Sequence, residues 1–326
     1  MTILYYSKIN VNSNIFGVYD KELSIPDIMA KVFESLDDKQ EYIKKELKNF
    51  TDRDTGEART VESKEIYNFS ELEKFRDLNE IYITGKLVRR YPIFSEKFDN
   101  KTRKSKPIVH EDNAVSINFY FDLKSEIVTF YVRQKFGYKQ FNEAFEKLLD
   151  IHMLDIGFKV YLLNDPYKIQ ERLKMLHKVR KIKSVIIPPN VNEEELEDLF
   201  NEQTLELKES NVTRKTSVFE THKKNPKGMN IDSGMVRQTL DVSNVYISRG
   251  YGKLEIEGET IDGTLFKYDS EVDSYYNTSI HEEDKENKIK LIDAAKRGIS
   301  ALFSKITKNK LQNNQIDINS DDKNLN

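Results

Sequence analysis

The chain has 326 residues, with 52 Lys+Arg against 55 Asp+Glu, 17 Tyr, 18 Phe, no Cys and no Trp. A hydrophobic share of 38% excludes a fully disordered polyampholyte, and no apolar run nears the roughly 18 residues of a membrane span. The lack of Cys excludes disulfides, Cys-ligated zinc, iron–sulfur clusters and thiol nucleophiles.

In chain order, Leu4 to Val11 reads as a strand. Ser24 then caps a helix with Pro26 in its first turn and Ile28, Val32 and Leu36 on one face. Residues 38–64 are dense in Lys, Asp, Glu and Thr and predict a polar helix followed by a loop. Ile81, Ile83, Leu87 and Tyr91 form an extended stretch ending at Pro92. A long polar loop is expected from Phe94 to Asn113. Ser116–Asp122 and Glu126–Arg133 alternate as strands joined by a hairpin.

A helix bearing Phe141, Phe145, Leu148 and His152 on one face follows, then a strand at Phe158–Leu163. Asp165 and Pro166 open a second helix with Ile169, Leu173 and Leu176 inward, before a strand at Lys183–Ile187. This β-α-β-α-β alternation argues for an α/β layer. Asn192–Glu209 is an acidic helix, and residues 210–245 are poorly patterned. A hairpin turns at Asp262-Gly263, between Lys253–Ile261 and Thr264–Tyr268. The last helix, Asp284 to Ile306, carries Ile292, Ala295, Ile299, Leu302 and Ile306 at 3-4-3-4 spacing, a seam for the sheet or for a homodimer.

The expected class is mixed α+β: an antiparallel-rich sheet, a β-α-β-α-β segment and a C-terminal helix. The expected division is an N-terminal α+β domain at 1–165, a C-terminal α+β domain at 166–308, and a disordered tail at 309–326. The opening MTILYYSKINVN has no charged n-region followed by an apolar h-region, so a secretory signal is not expected and a cytoplasmic protein without membrane insertion is.

Charge is unevenly distributed. Gly85–Ile108 holds eight positive and two negative residues, Tyr167–Ser184 seven and one, Thr213–Gly228 five and one, while 192–209 has eight acids and one Lys. Clustered cations gain from phosphate by counterion release, and the gain is local because salt screens beyond about 8–10 Å. The nucleic-acid reading makes a face from Lys86, Arg89, Arg90, Lys101, Arg103, Lys104 and Lys106 with Lys174, Lys178, Arg180 and Lys181 of the second helix. Tyr91, Phe94 and Phe98 would supply stacking. The plainer reading has solvated lysines and core aromatics, and both stand at this point. No zinc finger, helix-turn-helix or RNP1 pattern occurs, so no motif separates DNA from RNA and binding would be to backbone, without base readout.

Chemistry is weakly signalled. The five His include no metal-spaced pair, and no Gly-rich phosphate loop or nucleophile elbow occurs, so neither metal nor cofactor is expected. His152 reads as a core or helix-end residue, and His110-Glu111-Asp112 lies in a loop. Arg172 and His177 fit R-x-x-x-x-H, which resembles the HEPN ribonuclease motif. That likeness implies phosphate stabilisation by the arginine and proton exchange by the histidine. Glu255, Glu257 and Glu259 share a strand face and read as solvated, and Arg249-Gly250-Tyr251-Gly252-Lys253 reads as a turn.

The segments ILYYSKINV, KSVIIPPN and LEIEGETIDGTLFKYD, in this order, resemble the RexA-type exclusion proteins of lambdoid phage and uncharacterised bacterial proteins around them. The resemblance implies a two-domain α+β protein that binds duplex DNA without strong sequence preference and serves phage exclusion, with a separately encoded effector. The function expected is therefore non-catalytic nucleic-acid binding in antiphage defence. A ribonuclease using Arg172 and His177, or a protein-interaction module, is the alternative.

Overall fold

The computed structural model describes the chain apart from residues 52–57, 166–167, 169–170, 173–174, 191–201 and 322–326, and apart from the side chains of 48–51, 58–63, 94, 104, 106–109, 111–112, 202 and 307–321. Strand β1 (Thr2–Val11) is buried on both faces because its apolar residues change sides partway along it. Leu4 and Tyr6 point into one core, Ile9 and Val11 into the other. It is followed by α1 (Ile15–Tyr19) and α2 (Ile25–Ser35). The α2 N-terminus is capped by Ser24, whose hydroxyl accepts from the Asp27 N–H at 3.2 Å. Ile28, Val32 and Leu36 are buried as the periodicity predicts.

Four long strands come next: β2 (Glu41–Thr51), β3 (Ala58–Arg76), β4 (Ile81–Asp99) and β5 (Lys104–Asp122). They correct two expectations, since 38–64 contains strand and not helix, and 94–113 is a hairpin and not a loop. In EYIKKELK the Lys, Glu and Leu have high helix propensity, but the pairing Glu41↔Asn68 to Thr51↔Ala58 overrides it. β4 runs through Pro92, where the ladder shifts register between Tyr91 and Ile93, as suits a residue without an N–H.

β6 (Ile127–Tyr131), α3 (Tyr138–His152) and β7 (Phe158–Leu162) follow. β6 and β7 both pair antiparallel with β1, which lies between them, so this is a split β-α-β unit. The main sheet has eight strands in the order β12-β1-β6-β5-β4-β3-β2, with β7 also on β1. α2 and α3 cover one face through an aromatic core in which Phe130 stacks on Phe141 at 3.7 Å and Phe119 meets Phe145 edge-on at 5.4 Å.

The second sheet has the order β11-β10-β8-β9. Its strands are β8 (Lys178–Ile186), β9 (Lys215–Glu220), β10 (Gly252–Glu259) and β11 (Leu265–Asp269). The β10–β11 hairpin turns at Asp262-Gly263 as expected. Before β9 lies α4 (Glu202–Glu209), the described end of the acidic helix; residues 192–201 of that expectation lie outside the described residues. α5 (Gly234–Ser248) packs Val236 and Ile247 against Ile182, Leu254 and Ile256. It falls where the sequence is poorly patterned. β8 belongs to this second sheet, so the expected β-α-β-α-β layer is broken after β7. Of its second helix, Pro166, Ile169 and Leu173 lie outside the described residues.

After α6 (Ser270–Asp273), β12 (Asn277–Ile280) returns to the edge of the first sheet beside β1. The final helix α7 (Lys288–Asp321) then covers its second face with Leu291, Ala295, Ile299 and Leu302. Gly298 permits this close approach, since a Cβ there would sit 1.8 Å from the Tyr6 hydroxyl. The sheets therefore separate near residue 165, but the chain from 277 onward is part of the first. The backbone of α7 outlasts residue 308, where a disordered tail is expected; side chains beyond Ile306 lie outside the described residues. The mixed, antiparallel α+β class with a C-terminal helix is as expected.

Candidate nucleic-acid interface

The four long strands leave the body of the sheet as two ribbons. Among the described residues β3 pairs with β4 only as far as Ile66↔Arg90, and β6 pairs with β5 only from Phe119 to Asp122. Beyond Tyr91↔Asn113, β4 and β5 therefore continue as a two-stranded arm to Asp99↔Lys104. Eight residue steps at about 3.3 Å make it about 25 Å long. Pro107 is tolerated in β5 because, among the described residues, no third strand pairs with β5 there.

The arm closes on a turn built by Asp99. Its carbonyl accepts from the Arg103 N–H at 2.8 Å, and its carboxylate accepts from the N–H groups of Lys101 at 2.9 Å and Thr102 at 3.3 Å. Those backbone hydrogen bonds, Lys101's first, hold the carboxyl below the usual range. Arg103 takes a left-handed φ of 56°. Residues 97–106 carry five cations and this one acid. Lys97, Lys101 and Arg103 are exposed and have no ion pair among the described residues. The backbone register sets Lys97 opposite Lys106. Phe98, 52% exposed, stands between Lys97 and the turn.

The other sequence-predicted cations are placed differently. Lys86 pairs with Glu71 at 2.6 Å, and Arg90 with Glu41. Arg89 is buried, holds Glu65 at 2.6 Å, and lies 4.5 Å over the Tyr91 ring, so Tyr91 serves that pair and is not an exposed platform. Tyr67 donates to the same Glu65 at 2.6 Å. Lys178, Arg180 and Lys181 lie on β8 and not on a helix, which corrects their expected setting. There Lys178 and Arg180 share Glu259, Lys181 meets Glu220, and Lys183 meets Glu255 at 3.2 Å. The three glutamates of β10 are thus each partnered, Glu257 by Lys267 at 3.4 Å. The two basic clusters are divided between the two sheets. The side chains of Lys104, Lys106, Lys174 and Phe94 lie outside the described residues.

Arg172 is the last described helical residue before a turn, and exposed His177 sits in the bend before β8. The pair does not share a helix, so the HEPN-like geometry is absent. His152, at the end of α3, is half-buried with its side chain turned inward; burial lowers its pKa, and its Nε2, 4.0 Å from the Asp37 carboxylate, has no hydrogen-bond partner among the described residues. Lys223, Lys224 and Lys227 are exposed in the loop after β9.

The β4–β5 arm thus carries exposed cations and an exposed aromatic near its turn, on an α+β body. Residues 33–297 match a domain of unknown function (DUF4747), and the chain belongs to that family. No curated protein matches it. No helix among the described residues is long and apolar enough to cross a membrane.

Proposed function

We propose that the chain is a non-catalytic nucleic-acid-binding protein that grips duplex DNA, without strong sequence preference, through the β4–β5 arm. The observation that carries this is the arm's tip, where Lys97, Lys101 and Arg103 are exposed, without carboxylate partners among the described residues, beside the half-exposed Phe98. Each phosphate neutralised by such a cation adds about 0.9 to the salt slope of binding. An exposed aromatic at the end of a ribbon can press into a groove between base steps. The resemblance to RexA-type exclusion proteins supports a role in antiphage defence, with an effector encoded elsewhere. This reading narrows the expected face from eleven cations to the arm.

Gel shifts against duplex DNA, single-stranded DNA and RNA at two salt concentrations test it. The expected result is duplex binding that weakens steeply with salt and falls at least tenfold in a Lys101→Glu/Arg103→Glu variant. Unchanged binding in that variant overturns the proposal, as does the absence of duplex binding at low salt.

A further inference from the structure

Strand β2 is an edge of the first sheet: among the described residues it pairs with β3 alone, from Glu41↔Asn68 to Thr51↔Ala58. On the outer side of an edge strand, alternate residues present N–H and C=O groups on which a further strand can add. Proteins blunt such edges by shortening, bending or charging them. β2 is 11 residues long, has no proline, and meets β3 without a register shift.

Its two faces differ. Tyr42 packs against the α2–α3 core and donates to Glu143 of α3 at 3.2 Å, and Lys44 donates to the same carboxylate at 2.8 Å. That places Tyr42, Lys44 and Glu46 on the helix side, and Ile43, Lys45 and Leu47 on the other. There Ile43 is 43% and Leu47 74% exposed, two aliphatic side chains held in solvent at the rim of the sheet. The α7 seam, the other place for a subunit contact, is used within the chain, since Leu291, Ala295, Ile299 and Leu302 are buried against the first sheet.

The sequence of β2 selects what completes this edge. A second β2 related by a two-fold axis perpendicular to the sheet keeps each face on its own side, so the axis passes through one residue and its own copy. With the axis at Lys45, Ile43 stands opposite the partner's Leu47 and Lys44 opposite the partner's Glu46, and symmetry repeats both pairs. An axis at Lys44 or at Glu46 instead sets Ile43 or Leu47 opposite Lys45, and an axis at Leu47 sets Ile43 opposite Thr51. Lys45 meets its own copy at the axis, on the solvent face, where long side chains can diverge. We propose that the chain forms a homodimer by antiparallel pairing of β2 with β2 of a second copy, centred on Lys45. The two first sheets then become one, with α2 and α3 of both copies on the same side. β2 is outside the arm, and neither proposal depends on the other.

Sedimentation velocity of the full chain without nucleic acid, from about 1 μM to about 0.1 mM, tests this. The expected result is a reversible monomer–dimer equilibrium. Ile43→Lys/Leu47→Lys, at two exposed positions, should weaken it by about tenfold or more with an unchanged circular dichroism melt. Because the chain has no Cys, a single introduced thiol reports the register. Across the axis the Cα atoms of residue 45 would lie about 4.5–5.5 Å apart, within disulfide reach. Lys45→Cys should therefore give a covalent dimer on mild oxidation, seen on a non-reducing gel. Lys64→Cys, exposed beside Lys45 on β3, should not, because three strand spacings of about 4.8 Å would separate its two copies. A chain that stays monomeric over this range, an unchanged equilibrium in Ile43→Lys/Leu47→Lys, or cross-linking no faster in Lys45→Cys than in Lys64→Cys overturns the proposal.

Discussion

Two stretches of similar sequence charge, 97–106 on the arm and 178–183 on β8, meet opposite fates. β8 is a central strand, flanked by β10 with Glu255 and Glu259 and by β9 with Glu220, so its cations find carboxylates across the ladder. The arm has no flanking strand among the described residues, and the one acid within 97–106, Asp99, is turned inward to hold the turn. Local charge density therefore does not identify an anion-binding surface; the identity of the neighbouring strand does. A cation flanked by acidic strands is part of the protein's own lattice, and one on an isolated ribbon remains available to a ligand.

The largest effect that sharpens this contrast belongs to Arg89, which the sequence groups with the arm. Its pairing with Glu65 is buried, and removing one member strands the other charge. Arg89→Ala should cost about 3–5 kcal/mol in chemical denaturation, while the fraction still folded binds DNA normally. A loss of DNA affinity without a loss of stability would move Arg89 from the scaffold to the interface. Next comes Lys101→Glu/Arg103→Glu, expected to leave the melting curve within about 0.5 kcal/mol of wild type. It should also lower the salt slope of duplex binding by about two.

The β8 side of the comparison can be broken by acid. Burial raises the Glu255 pKa, but the hydrogen bonds from Lys253 and Lys183 outweigh it and hold the carboxyl below its ordinary 4.5. A depressed folded-state pKa contributes stability that is fully present above the unfolded value and is lost as pH falls through the folded one. The second sheet should therefore begin to loosen below pH 4.5. Hydrogen exchange of the β8 and β10 amides should report this, and in Glu255→Gln the pH dependence should flatten.

How much of this was legible depended on the range of the signal. α2 and α3 could be read because Ile28/Val32/Leu36 and Phe141/Phe145/Leu148 repeat within a few residues, and Asp262-Gly263 marks its own turn. The β2–β3 pair was hidden by residues of high helix propensity whose two-residue alternation, Ile43, Lys45, Leu47, is blunted by charge. The arm was hidden because a ribbon without a core face needs no apolar alternation; Asp99, which builds its turn, marks it only weakly. Ion pairing was out of reach altogether, since Arg180 and Glu259 are 79 residues apart and meet only through the β8–β10 ladder.

The smallest expected effect is the most discriminating. Lys181→Glu reverses a charge in a cluster whose sequence resembles the arm's, but its partner Glu220 is already on the neighbouring strand. The pair lies at the surface, where solvent screens it, so stability should change little. If surface cations act by summed charge, Lys181→Glu should weaken duplex binding as much as a single reversal at Lys101. If local availability decides, its affinity should stay within twofold of wild type at both salt concentrations. Reversal of Lys223 and Lys224, exposed but on a loop without an aromatic neighbour comparable to Phe98, should fall between the two, at less than threefold. The ranking Lys101, then Lys223/Lys224, then Lys181 is what separates a gripping arm from a diffuse positive field.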